Sequence, residues 1–512
     1  MPKPTPHIPL PSIQLDASAN LPLCRQLYEQ LGRAIRTGYL APGARLPSTR
    51  AFARELGVSR TTVEEAYQDL FAQGYIEGQV GAGTYVTKHL SESLFHKTTM
   101  PAAVTRSSEP VSRYASVSQR GSALSLPPGF GRGNESIPFC LGLPALESFP
   151  QQEWARTVAR VARQLSPSQL GYQDVAGYRP LREEIATYLT VSRGVRCTAD
   201  QVIVVAGAQA GLFLAARLLL NPGDAAWIED PGYPYAKAAL EDVGAIIVPV
   251  PIDKEGIDVV SGRARHPEAR LVYVTPSHQF PLGVTMSLAR RYELLHWAQA
   301  AGAWIIEDDY DSEYRYLGRP IPALQGLEGA EQVLYLGTFS KVLFPALRLG
   351  YLVVPPSLID TFVTALCTAN IFQPTLEQAA VATYMREGDF ARHIRRMRSL
   401  YAKRGNLLRD CAGRSLGEVL TIEQPAAGLH LVGWLREGTD DRDMARKAER
   451  QRIIVSPLSA YRMEPTGRSG VLLGYASWTE REIEEGVQHL ARAWNTRQEE
   501  RKRGPRVNLI IE

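Results

Sequence analysis

No two of the five cysteines, Cys24, Cys140, Cys197, Cys367 and Cys411, form a CxxC pair, and they lie too far apart for a zinc site or a disulfide framework. No run of 18 apolar residues occurs. The start, MPKPTPHIPLPSIQL, is Pro-rich without a continuous apolar stretch, so the sequence predicts neither a membrane span nor an export signal. Charge of one sign is also missing. A net +4, from 57 Lys and Arg against 53 Asp and Glu, announces no nucleic acid by itself. With 45% hydrophobic and 21% charged residues, general disorder is excluded. A reduced cytoplasmic protein with no metal is the expectation these absences leave.

The chain has 512 residues, enough for at least two domains at the usual ~100–200 residues each. Short helical patterns and one alternating segment fill 20–89. Residues 90–135, including SESLFHKTTMPAAVTRSSEPVSRY, are rich in Ser, Thr, Pro and Gly and have too little apolar periodicity for a core, so they read as a flexible linker. From 136 to 495 helical segments alternate with β-branched runs such as QVIVVAG, RLVYVTP, AWIIEDD, VLYLGTF and LGYLVVP. That spacing predicts an α/β domain with a mainly parallel sheet, and a smaller α/β lobe follows from about 390. Residues 496–512 read as a tail.

In PSTRAFARELGVSRTTVEEAYQDLFAQGYI two apolar-periodic helices meet at Gly57, and Ser59 stands where it can cap the second. This is a helix-turn-helix pattern. Arg60, Thr61 and Thr62 would bring a guanidinium, hydroxyls and free amides to one helix start, where a phosphate or base edge can sit. YIEGQVGAGTYVT then reads as a hairpin whose glycines allow close approach to a DNA backbone.

AWIIEDDYDSEYRY is an apolar strand ending in carboxylates, at the end of a strand where α/β folds place ligands. Lys341 follows the next strand, in TFSKVLFPALRLGY. A single lysine is ordinarily a protonated surface residue, but one shielded among apolar groups can form a Schiff base. The surroundings favour the second reading. Asp308 can keep a pyridine nitrogen protonated, and Arg348 with the amides after Gly207, at Ala208 and Gln209 of AGAQAGL, can bind a phosphate. These are the groups pyridoxal phosphate requires.

Two resemblances cover nearly all of the chain. Residues 20–89 resemble the winged helix-turn-helix of the GntR family through LCRQLYEQLGRAIRTGYLAPGARLPSTR, GVSRTTVEEAYQDLFAQGYI and GQVGAGTYV. That implies DNA contacts at Arg50, Ser59, Arg60, Thr61 and Thr62, with Gly81 at the wing and Arg45 near the backbone. Residues 136–495 resemble a fold-type I aminotransferase, a pyridoxal phosphate-dependent transferase, through AGAQAGL, EDPGYP, TPSHQFPLG, EDDYDSEYRY and SKVLFPALRLGY in that order. By that resemblance Lys341 holds the cofactor as an aldimine, Asp308 faces its ring nitrogen, Tyr310 meets its 3-hydroxyl and Tyr233 stacks on the ring. Thr338, Ser340 and Arg348 complete the phosphate site with Ala208 and Gln209. Asp309 and Asp311 are expected to be structural or solvated.

Two departures stand out. The family's Asn-Pro-x-Gly element is replaced by HQFPLG, leaving His278 or Gln279 as its substitutes. Leu472, in GVLLGYASW, stands where an arginine usually clamps a substrate carboxylate, and leucine cannot make that pair.

The combination resembles the MocR family, or GabR type, of bacterial transcription regulators. It implies a regulator that senses pyridoxal phosphate or an amine effector by aldimine chemistry on Lys341. It also implies a head-to-tail homodimer reading repeated half-sites in DNA. The alternative is an active aminotransferase with an appended DNA-binding module.

Overall fold

The computed structural model describes residues 13, 15, 16, 21–79, 83–87, 118, 121, 122, 138–318 and 321–502, the side chains of 36, 79 and 495–502 excepted. Gly81 and nearly all of 90–135 lie outside the described residues. The chain forms two compact units, 1–115 and 116–512.

In the first unit three helices, α1 (Leu23–Arg36), α2 (Thr49–Leu56) and α3 (Arg60–Ala72), pack with a small antiparallel sheet. Its strands β1 (Arg45–Leu46), β2 (Ile76–Gln79) and β3 (Gly83–Val86) lie in the order β1-β3-β2. Local chemistry sets the turn between α2 and α3. Gly57 ends α2 in the left-handed region at φ 66°, which glycine enters without steric cost. The Ser59 hydroxyl oxygen accepts the Thr62 N–H at 3.1 Å and so caps α3. Val63, Ala66, Tyr67 and Leu70, spaced for one helical face, are buried against Leu27, Leu31 and Ile35 of α1 and Phe52 of α2. Each large side chain buried this way contributes roughly 1.5–3 kcal/mol, so this face is what fixes α3 on the unit.

The second unit is built on eight strands: β4 (Val202–Val205), β5 (Ala225–Asp230), β6 (Ile246–Asp253), β7 (Gly256–Ile257), β8 (Leu271–Val274), β9 (Trp304–Asp309), β10 (Val333–Thr338) and β11 (Gly350–Val353). Their order is β4-β11-β10-β9-β8-β5-β6-β7. Pairing is parallel from β10 through β9, β8 and β5 to β6. The strand in LGYLVVP departs from that pattern: β11 runs antiparallel to both β10 and β4. Only residues 339–349 separate it from β10, too short a link for the helical crossover that a parallel neighbour needs. Alternate residues of these strands feed two cores. Val202, Val204, Tyr335 and Tyr351 face one side, while Ile203, Val205, Leu336 and Leu352 face the other, so helices cover both faces of the sheet.

The smaller lobe carries β12 (Leu420–Ile422), β13 (His430–Leu435), β14 (Ser456–Pro457) and β15 (Gly470–Gly474), antiparallel in the order β12-β13-β15-β14, beside a 28-residue helix, Asp389–Leu416. Phe139 is fully buried in this lobe, which fixes the segment entering the unit. The last helix runs Glu480–Lys502, so the tail expected from 496 begins inside it. Ile483, Val487, Leu490 and Trp494 of this helix are buried in the lobe's core. Among the described residues no helix is long and apolar enough to cross a membrane.

Candidate functional site

The carboxyl ends of the central parallel strands open into a cavity of about 640 Å³, the position expected for a ligand in such a sheet. Lys341, Asp308, Tyr310, Tyr233, Ala208, Gln209, Thr338, Ser340 and Arg348, dispersed over more than a hundred residues of sequence, all line it.

β9 delivers Asp308. Its Oδ2 accepts the Tyr273 hydroxyl at 2.6 Å, while its Oδ1 is buried and has no hydrogen-bond partner. The other strand-end acids diverge from it. Asp309 pairs with buried Arg193 at 2.7 Å and accepts the Tyr335 hydroxyl at 2.6 Å, and Asp311 turns to His278. Three adjacent carboxylates therefore have three separate sets of partners, and only Asp308 faces the cavity.

Lys341 stands in the turn after β10, its amine donating to the Gly142 carbonyl at 2.7 Å. Burial holds that amine below the usual lysine range, with Asp311 and Asp308 pulling the other way. Nucleophilic attack on a carbonyl requires the unprotonated amine, and burial favours that form here.

Opposite, the helix Ala208–Leu219 starts from Gly207 at φ 89° with no side-chain cap, so its first amides are open to an anion. Arg348, itself at φ 50°, donates to the Ala206 carbonyl at 3.1 Å, and its guanidinium would be 3.6 Å from a Cβ at Gly207. Thr338 Oγ1 accepts the Ser340 N–H at 3.1 Å and shapes the same turn. Tyr233 packs edge-on to Phe280, with ring centroids 5.7 Å apart. The Gln209 side chain donates to the Tyr235 carbonyl at 2.9 Å, leaving its backbone amide for the helix start.

Of the two candidate substitutes for the missing Asn element, Gln279 is committed to the fold: its amide donates to Pro231 O, Phe280 O and Glu229 and accepts from Leu282 N–H. His278 is buried beside Tyr310. Leu472 is fully buried with Leu458 and Tyr461, so that position offers no cation to a carboxylate. Sequence reasoning missed Tyr273, Gly142, Phe280 and His430 as lining residues. The alternation in RLVYVTP marks Tyr273 as a strand residue, but nothing in the sequence shows which face or which acid it meets.

The donor set fits pyridoxal phosphate. A buried carboxylate oxygen without a partner suits a ring N–H, open helix amides with Arg348 suit a phosphate dianion, and a desolvated lysine suits an aldehyde. The Asp308 carboxyl carries a measurable signature, because burial pushes it up to about 7, with the Tyr273 hydrogen bond opposing and Asp309 and Asp311 adding. From the ordinary 3.8 up to about 7, the folded cofactor-free protein holds a proton that the unfolded chain has released, so stability falls as pH rises through that window. We expect the melting midpoint of cofactor-free protein to drop as pH rises from the ordinary 3.8 to about 7, and to drop less in Asp308→Asn, which is neutral throughout. Equal pH slopes in calorimetry would exclude this ionisation.

In the first unit Arg45, Arg50, Ser59, Arg60 and Thr61 are exposed and Thr62 is partly so. Ser59, Arg60, Thr61 and Thr62 meet at the start of α3. Arg60 bonds Glu64 one turn on, at 2.6 Å. Arg45 lies over the wing sheet, its Nε 3.2 Å from where a Cβ of Gly83 would be.

Two family models match the chain: aminotransferase class I and II over residues 134–490 and the gntR family of bacterial regulatory proteins over 23–86. The probable rhizopine catabolism regulatory protein MocR of Rhizobium meliloti is 41% identical, over 94% of this chain and 95% of its own length. The pyridoxine biosynthesis transcriptional regulator PdxR of Corynebacterium glutamicum is 32% identical, over 89% of this chain and 92% of its own. Among solved structures, the α-aminoadipate aminotransferase LysN of Thermus thermophilus, complexed with N-(5'-phosphopyridoxyl)-L-leucine, matches with TM-score 0.64 and 30% identity, over 70% of this chain and 92% of its own. With both halves matched in order and a relative alike along nearly its whole length, the chain belongs to the MocR family of transcription regulators, DNA-binding proteins whose larger domain has the aminotransferase fold and takes pyridoxal phosphate.

Proposed function

We propose that the cavity around Lys341 is the sensing site of this regulator, that it answers to pyridoxal phosphate or to an amine reaching the bound cofactor, and that its state sets the affinity of α3 and the wing for DNA. The observation that carries this reading is the unpartnered Asp308 Oδ1 in the same cavity as the Lys341 amine and the open amides of Ala208 and Gln209.

Pyridoxal phosphate, when bound, supplies an aldehyde that condenses reversibly with primary amines and a ring that withdraws electrons. Lys341 would offer the resident amine that holds the cofactor. Asp308 would hold a proton at the ring nitrogen, Tyr310 would donate to the ring oxygen, Tyr233 would cover the ring face, and Arg348, Thr338 and Ser340 would hold the phosphate against the helix start. Exchange of amines at this position would let an effector bind one conformation of the domain better than another, and such differential affinity is what shifts a conformational equilibrium. The buried Leu472 supports sensing over turnover of α-amino acids, since a carboxylate loses a charge-assisted pair of roughly 1.5–3 kcal/mol per hydrogen bond there. Exposed Tyr172 and Phe372, their rings 6.0 Å apart, together with Leu170 and Ile371, support a homodimer. A head-to-tail pair would present two α3 helices to repeated half-sites in the cytoplasm.

The test is the affinity of the full chain for DNA upstream of its own gene, measured without cofactor, with pyridoxal phosphate, and with a panel of amines added. The expected change is about 5- to 150-fold, the usual range of allosteric coupling. The same affinity in every state, accompanied by steady turnover of an amino acid with a 2-oxo acid, would leave the aminotransferase reading instead.

A further inference from the structure

Among the described residues a single imidazole lines the cavity, that of His430 on β13, and it is 6% exposed. Its Nε2 stands 3.0 Å from the Pro281 carbonyl oxygen. A carbonyl can only accept, so Nε2 carries the hydrogen and the tautomer is fixed. Burial and the neighbouring His278 push the ring down to about 4, with the Pro281 carbonyl opposing, so it is neutral near neutral pH and Nδ1 keeps a lone pair. Nδ1 has no hydrogen-bond partner among the described residues and is not sealed from solvent. It opens into the cavity as an acceptor that the fold leaves unused.

The wall around it is uncharged. Phe280 sets its ring edge-on to His430 and to Tyr461, with centroids 5.5 Å away in each case, and all three residues line the cavity. Leu472 pairs with Val432, two residues beyond His430 on β13, and with Ser456 on β14. Its buried side chain belongs to one apolar cluster with Tyr461, Phe280 and Ala460. The strand beside His430 therefore supplies no cation. Two further arginines in the lining, Arg442 and Arg446, are exposed: Arg442 donates to Ser459 Oγ at 3.1 Å, and Arg446 lies 3.7 and 3.9 Å from Asp443 and Asp440. A carboxylate brought beside His430 would exchange its water for a lone pair and aromatic rings, and gain no donor. A hydroxyl in the same place would donate to Nδ1.

We propose that His430 selects the effector: its Nδ1 accepts a hydroxyl of the incoming amine, so that the site takes amino alcohols and turns away amines that carry a carboxylate. The proposal rests on the amine-sensing reading above. Every primary amine offers the cofactor the same nitrogen, so discrimination has to come from the rest of the molecule. An attraction for one group and a penalty for the other supply it together.

The experiment is calorimetric titration of cofactor-loaded full-length protein with two matched sets of amines: 2-aminoethanol, ethylamine and glycine, then 3-amino-1-propanol, propylamine and β-alanine. In at least one set the amino alcohol should bind about 2- to 13-fold more tightly than the alkylamine, the worth of one neutral hydrogen bond, and the amino acid more weakly than the alkylamine. His430→Leu should bring the amino alcohol level with the alkylamine and leave the alkylamine's affinity near wild type. His430→Gln, whose side chain can still donate to Pro281 O and accept from a hydroxyl, should keep the wild-type order. Should the leucine variant not fold, His430→Phe takes its place. Failure of every amine to bind loaded protein, no preference for the hydroxyl, a preference that survives in His430→Leu, or an amino acid that binds more tightly than its amino alcohol would each overturn the proposal. Wild-type protein that takes up no cofactor would instead overturn the reading on which it rests.

Discussion

Lys341→Ala protein incubated with pyridoxal phosphate and then reduced with borohydride should carry no covalently fixed cofactor by mass spectrometry, where wild-type protein carries one per chain. The effect is complete because it removes the reacting atom itself. Its structural cost is small: the amine makes one hydrogen bond, to Gly142 O, worth roughly 0.5–1.5 kcal/mol net. Arg348, the amides of the helix Ala208–Leu219 and Asp308 all remain, so the variant should still hold the cofactor non-covalently, more weakly. DNA binding then separates the two effectors. A response to pyridoxal phosphate itself should survive at higher cofactor concentration, whereas a response to amines that depends on displacing Lys341 should disappear. If borohydride still fixes cofactor to the variant, another lysine is the attachment point and the assignment of the cavity is wrong.

Features that reside within one short segment were legible before any coordinates. Asp308 at a strand end, Gly207 before a helix, Gly57 in a turn and Ser59 as a cap each follow from local backbone requirements, whereas Lys341 is singled out by joining Arg348 in its own segment to Asp308 and the Gly207 turn in others. What the sequence could not show is register between distant segments. β8 and β9 pair with Tyr273 opposite Ile306, which brings the Tyr273 hydroxyl to Asp308 two residues further along. A register slipped by one residue would turn that hydroxyl to the other face. Gly142 reaches Lys341 because Phe139 is buried in the smaller lobe, a tertiary contact invisible in LGLPALESFP. The reversal of β11 was readable from loop length, since eleven residues cannot carry a crossover helix. Asp311, expected to be structural or solvated, is buried against His278 because HQFPLG and EDDYDSEYRY are brought together by the sheet.

Arg60→Ala should weaken binding of the operator by about 5- to 150-fold, the ~1–3 kcal/mol of a lost base-edge or phosphate contact, and leave the spectrum of the bound cofactor unchanged. In free protein the Arg60 guanidinium bonds Glu64 at 2.6 Å, with both side chains exposed. An exposed pair one helical turn apart is worth about 0.3–0.5 kcal/mol, so DNA can draw the arginine away at little cost. Glu64 also accepts from the Thr49 hydroxyl at 3.5 Å, and its carboxylate opposes a phosphate brought to the start of α3. Glu64→Gln should therefore act in the opposite direction, tightening binding and doing so on non-specific DNA as well, because it removes a repulsive charge and releases Arg60 together. The salt dependence tells the two kinds of contact apart. If Arg60 neutralises a phosphate, the slope of log affinity against log salt falls by about one in Arg60→Ala. If it reads a base, the slope holds and discrimination against altered operators relaxes at one position. Affinity equal to wild type at physiological salt would take Arg60 out of the interface and move the start of α3 away from the DNA.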